Sequence, residues 1–234
     1  MRLSVYLSSF LVLAGSSACA LPRPLVGPNL ASAPEGMSRE AWVHANAAFG
    51  RVQSDGRHPF PRQLLAIIDY SLPSSERRLW VVDPGTAQVL ATDYVAHGSG
   101  SGGTWATTFS NQLGSLQSSL GTFITGDRFV GVRGVSLRLR GLEPDINDRA
   151  WTRGIVLHGT PNVSAARAAI GTVGRTEGCP AVPRESARRL VDLLEGGAVL
   201  FAWYPDPQFL ARSRYLDQAG VPTFLGSPVV GQFD

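Results

Sequence analysis

The chain has 234 residues, a formal net charge of +3 and 44% hydrophobic residues. This is an ordinary globular composition, with length enough for one sizeable core and one small addition. Every basic residue is arginine; no basic run is interleaved with aromatics, which argues against a nucleic-acid partner.

Arg2 gives a positive start, and Leu3 to Ala14 is an apolar run broken only by Ser4, Ser8 and Ser9. Ala18-Cys19-Ala20 then offers small residues at both positions read by a signal peptidase. The run is too short for a membrane span, which needs about 20 residues. Residues 1–20 are therefore expected to be a cleaved signal peptide, giving a periplasmic or secreted protein. The alternative is a lipoprotein: Ser16-Ser17-Ala18-Cys19 loosely resembles a lipoprotein box without its leucine, and a membrane association would follow only if Cys19 is lipidated.

Residues 21–36 are rich in Pro, Gly, Ala and Ser, as in a tether. Ser38 is a candidate cap for a helix from about Arg39 to Gln53, with Ala41, Trp42, Ala45, Ala48 and Phe49 on one face. Residues 21–61 are expected to be a tether and helix preceding a main unit over 62–205. Leu64 to Tyr70, Arg78 to Asp83 and Gln88 to Val95 are predicted strands. Their connections are too short for a helical crossover, so they form an antiparallel meander.

Ser99 to Ser119 is a Gly/Ser/Thr-rich loop region. Strand character resumes at Gly121 to Ile124, Phe129-Val130 and the strictly alternating Ser136 to Arg140. Gly154 to His158 is a short buried strand, and Ser164 to Ala169 a short helical or irregular piece. Pro183-Arg184-Glu185 opens a helix through about Leu194, stopped by Gly196-Gly197. Ala198 to Tyr204 is a last strand, and residues 206–234 read as a peripheral tail.

Loss of Cys19 with the signal would leave Cys179 as the only thiol, in the run Gly174-Arg175-Thr176-Glu177-Gly178-Cys179-Pro180. A thiol attacks carbonyls as thiolate and needs a base. His158 ends a strand before Gly159 and is the first candidate; His97 before Gly98 is the second. His44 and His58 are expected at the surface. Gly178 lets the chain turn tightly and brings N–H groups toward a substrate oxygen. Pro180 has no N–H, so an oxyanion hole must draw on Cys179 and residues before it. With one cysteine and scattered histidines there is no metal-ligand spacing. Trp105 and Trp151 are expected in buried packing more than at a cleft.

His158-Gly159 followed by Gly174-Arg175-Thr176-Glu177-Gly178-Cys179 resembles the signature of the L,D-transpeptidase catalytic domain (YkuD-like) family. Ser119 to Ile124 resembles another of its stretches. Gly178-Cys179-Pro180-Ala181 is similar to a murein L,D-transpeptidase subgroup, in which His97-Gly98, Ser110-Asn111 and Gly141-Leu142-Glu143 also have counterparts. Glu177 stands where many members have histidine, Arg133-Gly134 where the subgroup often has His-Gly, and Leu120 where proline is usual.

The resemblance implies a mostly β fold, a curled mixed sheet or sandwich with a few peripheral helices. It implies peptidoglycan stem peptides as donor and acceptor, with no cofactor and no metal. Cys179 would be the nucleophile, His158 its base, and N–H groups of Gly178 and Cys179 the oxyanion donors. His97, Asn111, Arg175 and Thr176 would contact or frame the substrate. Hydrolysis of the same thioester by an L,D-carboxypeptidase, and a non-catalytic envelope-binding module, are the alternatives. A papain-like protease is disfavoured because there the cysteine precedes the histidine.

Overall fold

The computed structural model describes residues 32–59 and 61–216. The expected signal peptide, Cys19 and most of the expected tether lie outside the described residues, as does the tail beyond 216. In chain order the elements are α1 (Arg39–Asp55), β1 (Leu65–Asp69), β2 (Leu79–Asp83), β3 (Gln88–Asp93), a 3-10 turn at Ser99–Ser101, β4 (Gly121–Gly131), β5 (Gly134–Gly141), β6 (Val156–Thr160), α2 (Ala165–Ala169), β7 (Ala181–Pro183), α3 (Arg184–Leu194), β8 (Val199–Trp203) and α4 (Pro207–Arg212).

The expected fold class holds: mostly β, with one open mixed sheet of eight strands in the order β3-β2-β1-β8-β4-β5-β6-β7. The first three strands form the expected antiparallel meander. β8 inserts between β1 and β4, parallel to β1 and antiparallel to β4. β1 and β8 are buried along their whole length, as continuous apolar runs covered on both faces should be.

Ser38 caps α1 by accepting the Ala41 N–H, and its own N–H donates to the Asp69 carboxylate at 3.1 Å. That contact ties the helix start to the end of β1. α1 packs on β1 and β8, and His44 stacks on Trp203 with ring centroids 4.5 Å apart. His44 is thus half-buried rather than at the surface, because the helix face it shares meets a large indole.

Register fixes which face carries the site. Side chains two residues apart share a face. From Trp203 and Phe201 on β8, the pairing runs through Thr122 and Ile124, then Arg140, Arg138 and Ser136, to His158. α1 therefore covers one half of the His158 face. α3 packs on β5, β6 and β7 from the other side, so closely that a Cβ at Gly159 would lie 2.8 Å from the Ala187 side chain.

Both segments outside the expected 62–205 unit contribute to the core: Trp42, Ala45 and Phe49 before it, and Phe209, Tyr215 and Leu216 after it. The expected tail begins with α4, capped by Asp206 accepting the Phe209 N–H at 2.7 Å. Ser213 then donates to the buried Glu143 carboxylate, which also accepts the Thr122 N–H at 2.7 Å. Among the described residues, no helix is long and apolar enough to cross a membrane.

Candidate active site

His158 lies in β6, flanked in register by Ser136 of β5 and Ala181 of β7. Continuing that parallel register two residues back sets Cys179 beside Val156. The thiol Sγ donates to the Gly154 carbonyl at 3.6 Å, and the Val156 N–H also approaches it. Cys179 thus lies two residues before Ala181, the register neighbour of His158 on β7.

The His158 side chain is buried, and Nδ1 lies 3.1 Å from the Gly159 carbonyl. A carbonyl only accepts, so Nδ1 carries the proton and Nε2 presents a lone pair. Nε2 is buried with no hydrogen-bond partner. Burial first, and the Arg133 charge as well, hold His158 below the usual histidine range, against the Gly159 contact. A neutral imidazole with an unengaged Nε2 can accept a proton.

Burial pushes the Cys179 thiol up, and the Glu177 carboxylate adds to the rise. The Val156 N–H and the Arg133 and Arg153 charges pull the other way. Both directions favour the neutral forms, thiol and imidazole.

Thr176 organises the turn at Cys179. Its Oγ1 accepts the Gly178 N–H at 3.1 Å and donates to the Cys179 carbonyl at 2.7 Å. This changes the expectation for Gly178, whose N–H is engaged by Thr176 rather than directed to a substrate. Within Gly178 to Pro180, the Cys179 N–H is the backbone donor left. Gly178 has φ +121, and a Cβ there would lie 2.7 Å from the Gln117 carbonyl. Both the backbone conformation and the space demand glycine.

The turn is braced from behind. Thr176 N–H donates to the His97 carbonyl at 2.9 Å, Ser99 N–H to the Thr176 carbonyl at 2.7 Å, and Ala96 N–H to the Ala181 carbonyl at 2.7 Å. Ser118 joins both sides, accepting the Gly98 N–H and donating to the Gly178 carbonyl.

His97 itself faces inward, where it was expected to line the pocket. It is fully buried, and Arg78 donates to its Nδ1 at 2.7 Å. Burial and Arg78 together push it down to about 4. Asn111 also has a different part: it accepts the Arg149 N–H and donates to Asp148 at 2.6 Å, pinning the turn after β5. Arg175 is exposed, donates to the Gly102 carbonyl at 3.2 Å, and lines a pocket of about 480 Å³ with Arg167 and Asn162. Trp105 and Trp151, expected in buried packing, are each 54% exposed.

Arg153 was not singled out from the sequence. It donates to the Ser110 and Gln117 carbonyls and to Ser119, each at 2.6 Å, so it holds the long loop beside Cys179. Its partners lie 34 to 43 residues away in sequence, beyond any local pattern. Among the described residues, no three His, Cys, Asp or Glu side chains gather as metal ligands.

A family model described as the L,D-transpeptidase catalytic domain matches residues 34–203. The chain belongs to that family. Similar solved structures include an L,D-transpeptidase from Mycobacterium smegmatis, at 14% identity over 61% of this chain and 59% of that one, TM-score 0.38. An L,D-transpeptidase from Xylanimonas cellulosilytica matches at 16% identity over 70% and 80%, TM-score 0.35. The helical cell shape determining protein Pgp2 from Campylobacter jejuni matches at 12% identity over 74% and 58%, TM-score 0.41. The chain thus spans about three fifths of the Mycobacterium and Campylobacter chains. No curated protein sequence matches.

Proposed function

We propose that this protein is a murein L,D-transpeptidase, acting through a Cys179 thioester in the cell envelope, to which residues 1–20 would direct it. The observation that carries the reading is the buried His158 Nε2, without a hydrogen-bond partner, on the strand paired with Ala181 just after Cys179. The Nδ1 contact to the Gly159 carbonyl supports it further, because it fixes the tautomer a base requires.

In the first half-reaction, Nε2 takes the Sγ proton and the sulfur attacks the carbonyl on the L-side of an L,D-peptide bond in a donor stem peptide. The Cys179 N–H meets the developing oxyanion. The C–N bond breaks, the imidazolium protonates the departing D-amino acid, and a thioester remains. An acceptor amine of a second stem then attacks the thioester, giving its proton to Nε2, and the thiol is regenerated. Arg133, at the tip of the β4–β5 hairpin, adds positive charge near both reacting groups. Arg175 serves as a partner for a stem-peptide carboxylate, and Thr176 keeps the nucleophile turn in shape.

The test is incubation of the mature protein with stem-tetrapeptide muropeptides and mass analysis of the products. Cross-linked dimers that disappear in Cys179→Ala are expected. Trimmed tripeptides alone would reassign the second step to water, and unchanged muropeptides would end the enzymatic reading.

A further inference from the structure

Trp151 leaves half of a large indole in solvent. The Arg138 guanidinium lies 5.0 Å from its ring centroid and 4.6 Å from that of Phe129. A cation held against two aromatic faces is attracted by both ring quadrupoles, which orders the group. Core packing does not explain this arrangement, since Arg138 and Trp151 are both exposed.

The stack stands on the catalytic face. Ser136 pairs with His158 on one side and with Phe129 on the other, and Arg138 and Arg140 share that face by alternation. Arg138 is two residues from Ser136, or about 7 Å along the strand, and Arg140 is about 13 Å from it. Trp151 reaches the site by another path: its carbonyl accepts the Gly154 N–H at 3.0 Å, and the Gly154 carbonyl meets the thiol. Beyond the stack lies a pocket of about 250 Å³, lined in part by Trp151, Arg138, Arg140, Asp127 and His58.

These groups define an occupant. Drug-sized ligands take pockets of about 300–1,000 Å³, so this one suits a single ring. An indole face offers contact to the C–H face of a saturated ring, as amphipathic aromatics do. Guanidinium, imidazole and carboxylate groups around it both donate and accept, which matches hydroxyl and amide substituents. A simple anion would meet Asp127, and an aliphatic side chain would leave the polar groups without partners.

We propose that Trp151, Arg138 and the adjoining pocket form a subsite for one amino-sugar ring of the glycan to which the reacting stem peptide is attached. The proposal rests on the peptidoglycan reading above. An extended peptide advances about 3.3 Å per residue, so three or four stem residues carry the chain from Cys179 to the pocket.

The test compares kcat/KM for a disaccharide-tetrapeptide and for the same tetrapeptide without sugar. It also measures binding of an N-acetylglucosamine tetramer by calorimetry. Wild type should favour the sugar-bearing substrate about tenfold, mainly through KM. Trp151→Ala should bring that ratio to within about twofold and weaken tetramer binding about tenfold, with Trp151→Phe recovering part of both. Melting temperature checks folding, and Arg140→Ala, altering the pocket without the stack, should reduce the ratio independently. A wild-type ratio near one without tetramer binding would overturn the subsite, as would a preference that Trp151→Ala and Arg140→Ala leave intact. If neither substrate is consumed, the transpeptidase reading fails and the tetramer alone decides. Binding that is lost in Trp151→Ala keeps the subsite, and no binding removes it.

Discussion

Arg78 donates to Nδ1 of His97 at 2.7 Å, and this hydrogen bond separates the two histidines that precede a glycine, His97 and His158. The guanidinium forces the His97 proton onto Nε2, whereas the Gly159 carbonyl draws the His158 proton to Nδ1 and leaves its Nε2 lone pair available. Acylation of Cys179 by a carbapenem, a class that acylates members of this family, should therefore fall by about 10²–10⁴ in His158→Ala. His97→Ala should chiefly lower stability, by about 1–3 kcal/mol, because a buried Arg78 donor loses its acceptor. Intact mass spectrometry over time and thermal melts distinguish the two; an unchanged acylation rate in His158→Ala would remove it as base.

Thr176 should act on rate through backbone geometry. Thr176→Val keeps the shape but removes the acceptor for Gly178 N–H and the donor to the Cys179 carbonyl. Acylation should slow at least about tenfold, the equivalent of about 1.4 kcal/mol, and Thr176→Ser should restore most of it. A Val variant acylated at the wild-type rate would show that the turn holds without these bonds.

The thiol should titrate late. Burial raises Cys179 and lowers His158, and only thiolate reacts with iodoacetamide. The alkylation rate should climb with pH to a midpoint above about 8.5, the ordinary cysteine value. Glu177→Gln should lower that midpoint and Arg133→Ala should raise it, as the signs of the removed charges require. A midpoint below 7 in wild type would mean a resting thiolate–imidazolium pair instead.

Acid should cost stability through His97. Its folded value is about 4, against about 6.5 when unfolded. Between these values the unfolded chain binds a proton that the folded chain refuses, so stability rises with pH across the window. The contribution is whole above about pH 6.5 and is lost as pH falls through about 4, a loss on the order of 3 kcal/mol. Urea unfolding from pH 4 to 7 should show this slope in wild type and a flatter one in His97→Gln. Identical slopes would refute it.

Much of the fold was legible because its signals are local. Ser38 with the apolar spacing after it marks α1, alternation from Ser136 to Arg140 marks β5, and Gly178 before Cys179 marks a tight turn. Other parts depend on distant partners. β7 is three residues ending in proline, with nothing local to announce it, yet it aligns Cys179 with β6. α4 did carry a signal, Asp206 before Pro207, hidden among the prolines of a segment read as tail. The insertion of β8 between β1 and β4 has no local signature. His97 reads as a cleft residue because the sequence sets it after a predicted strand and before glycine; only the fold reveals the buried Arg78 behind it.

Gly98 and Gly178 pack backbone to backbone: a Cβ on Gly98 would lie 2.9 Å from the Gly178 Cα and 2.2 Å from the Leu116 carbonyl. The turn at Cys179 acquires its shape only when segments around 98, 117 and 178 have met. A newly made chain would carry the thiol well before it carried the site. An acylating label on Cys179 therefore doubles as a maturation assay, counting molecules that have finished folding and passing over those that have only been made.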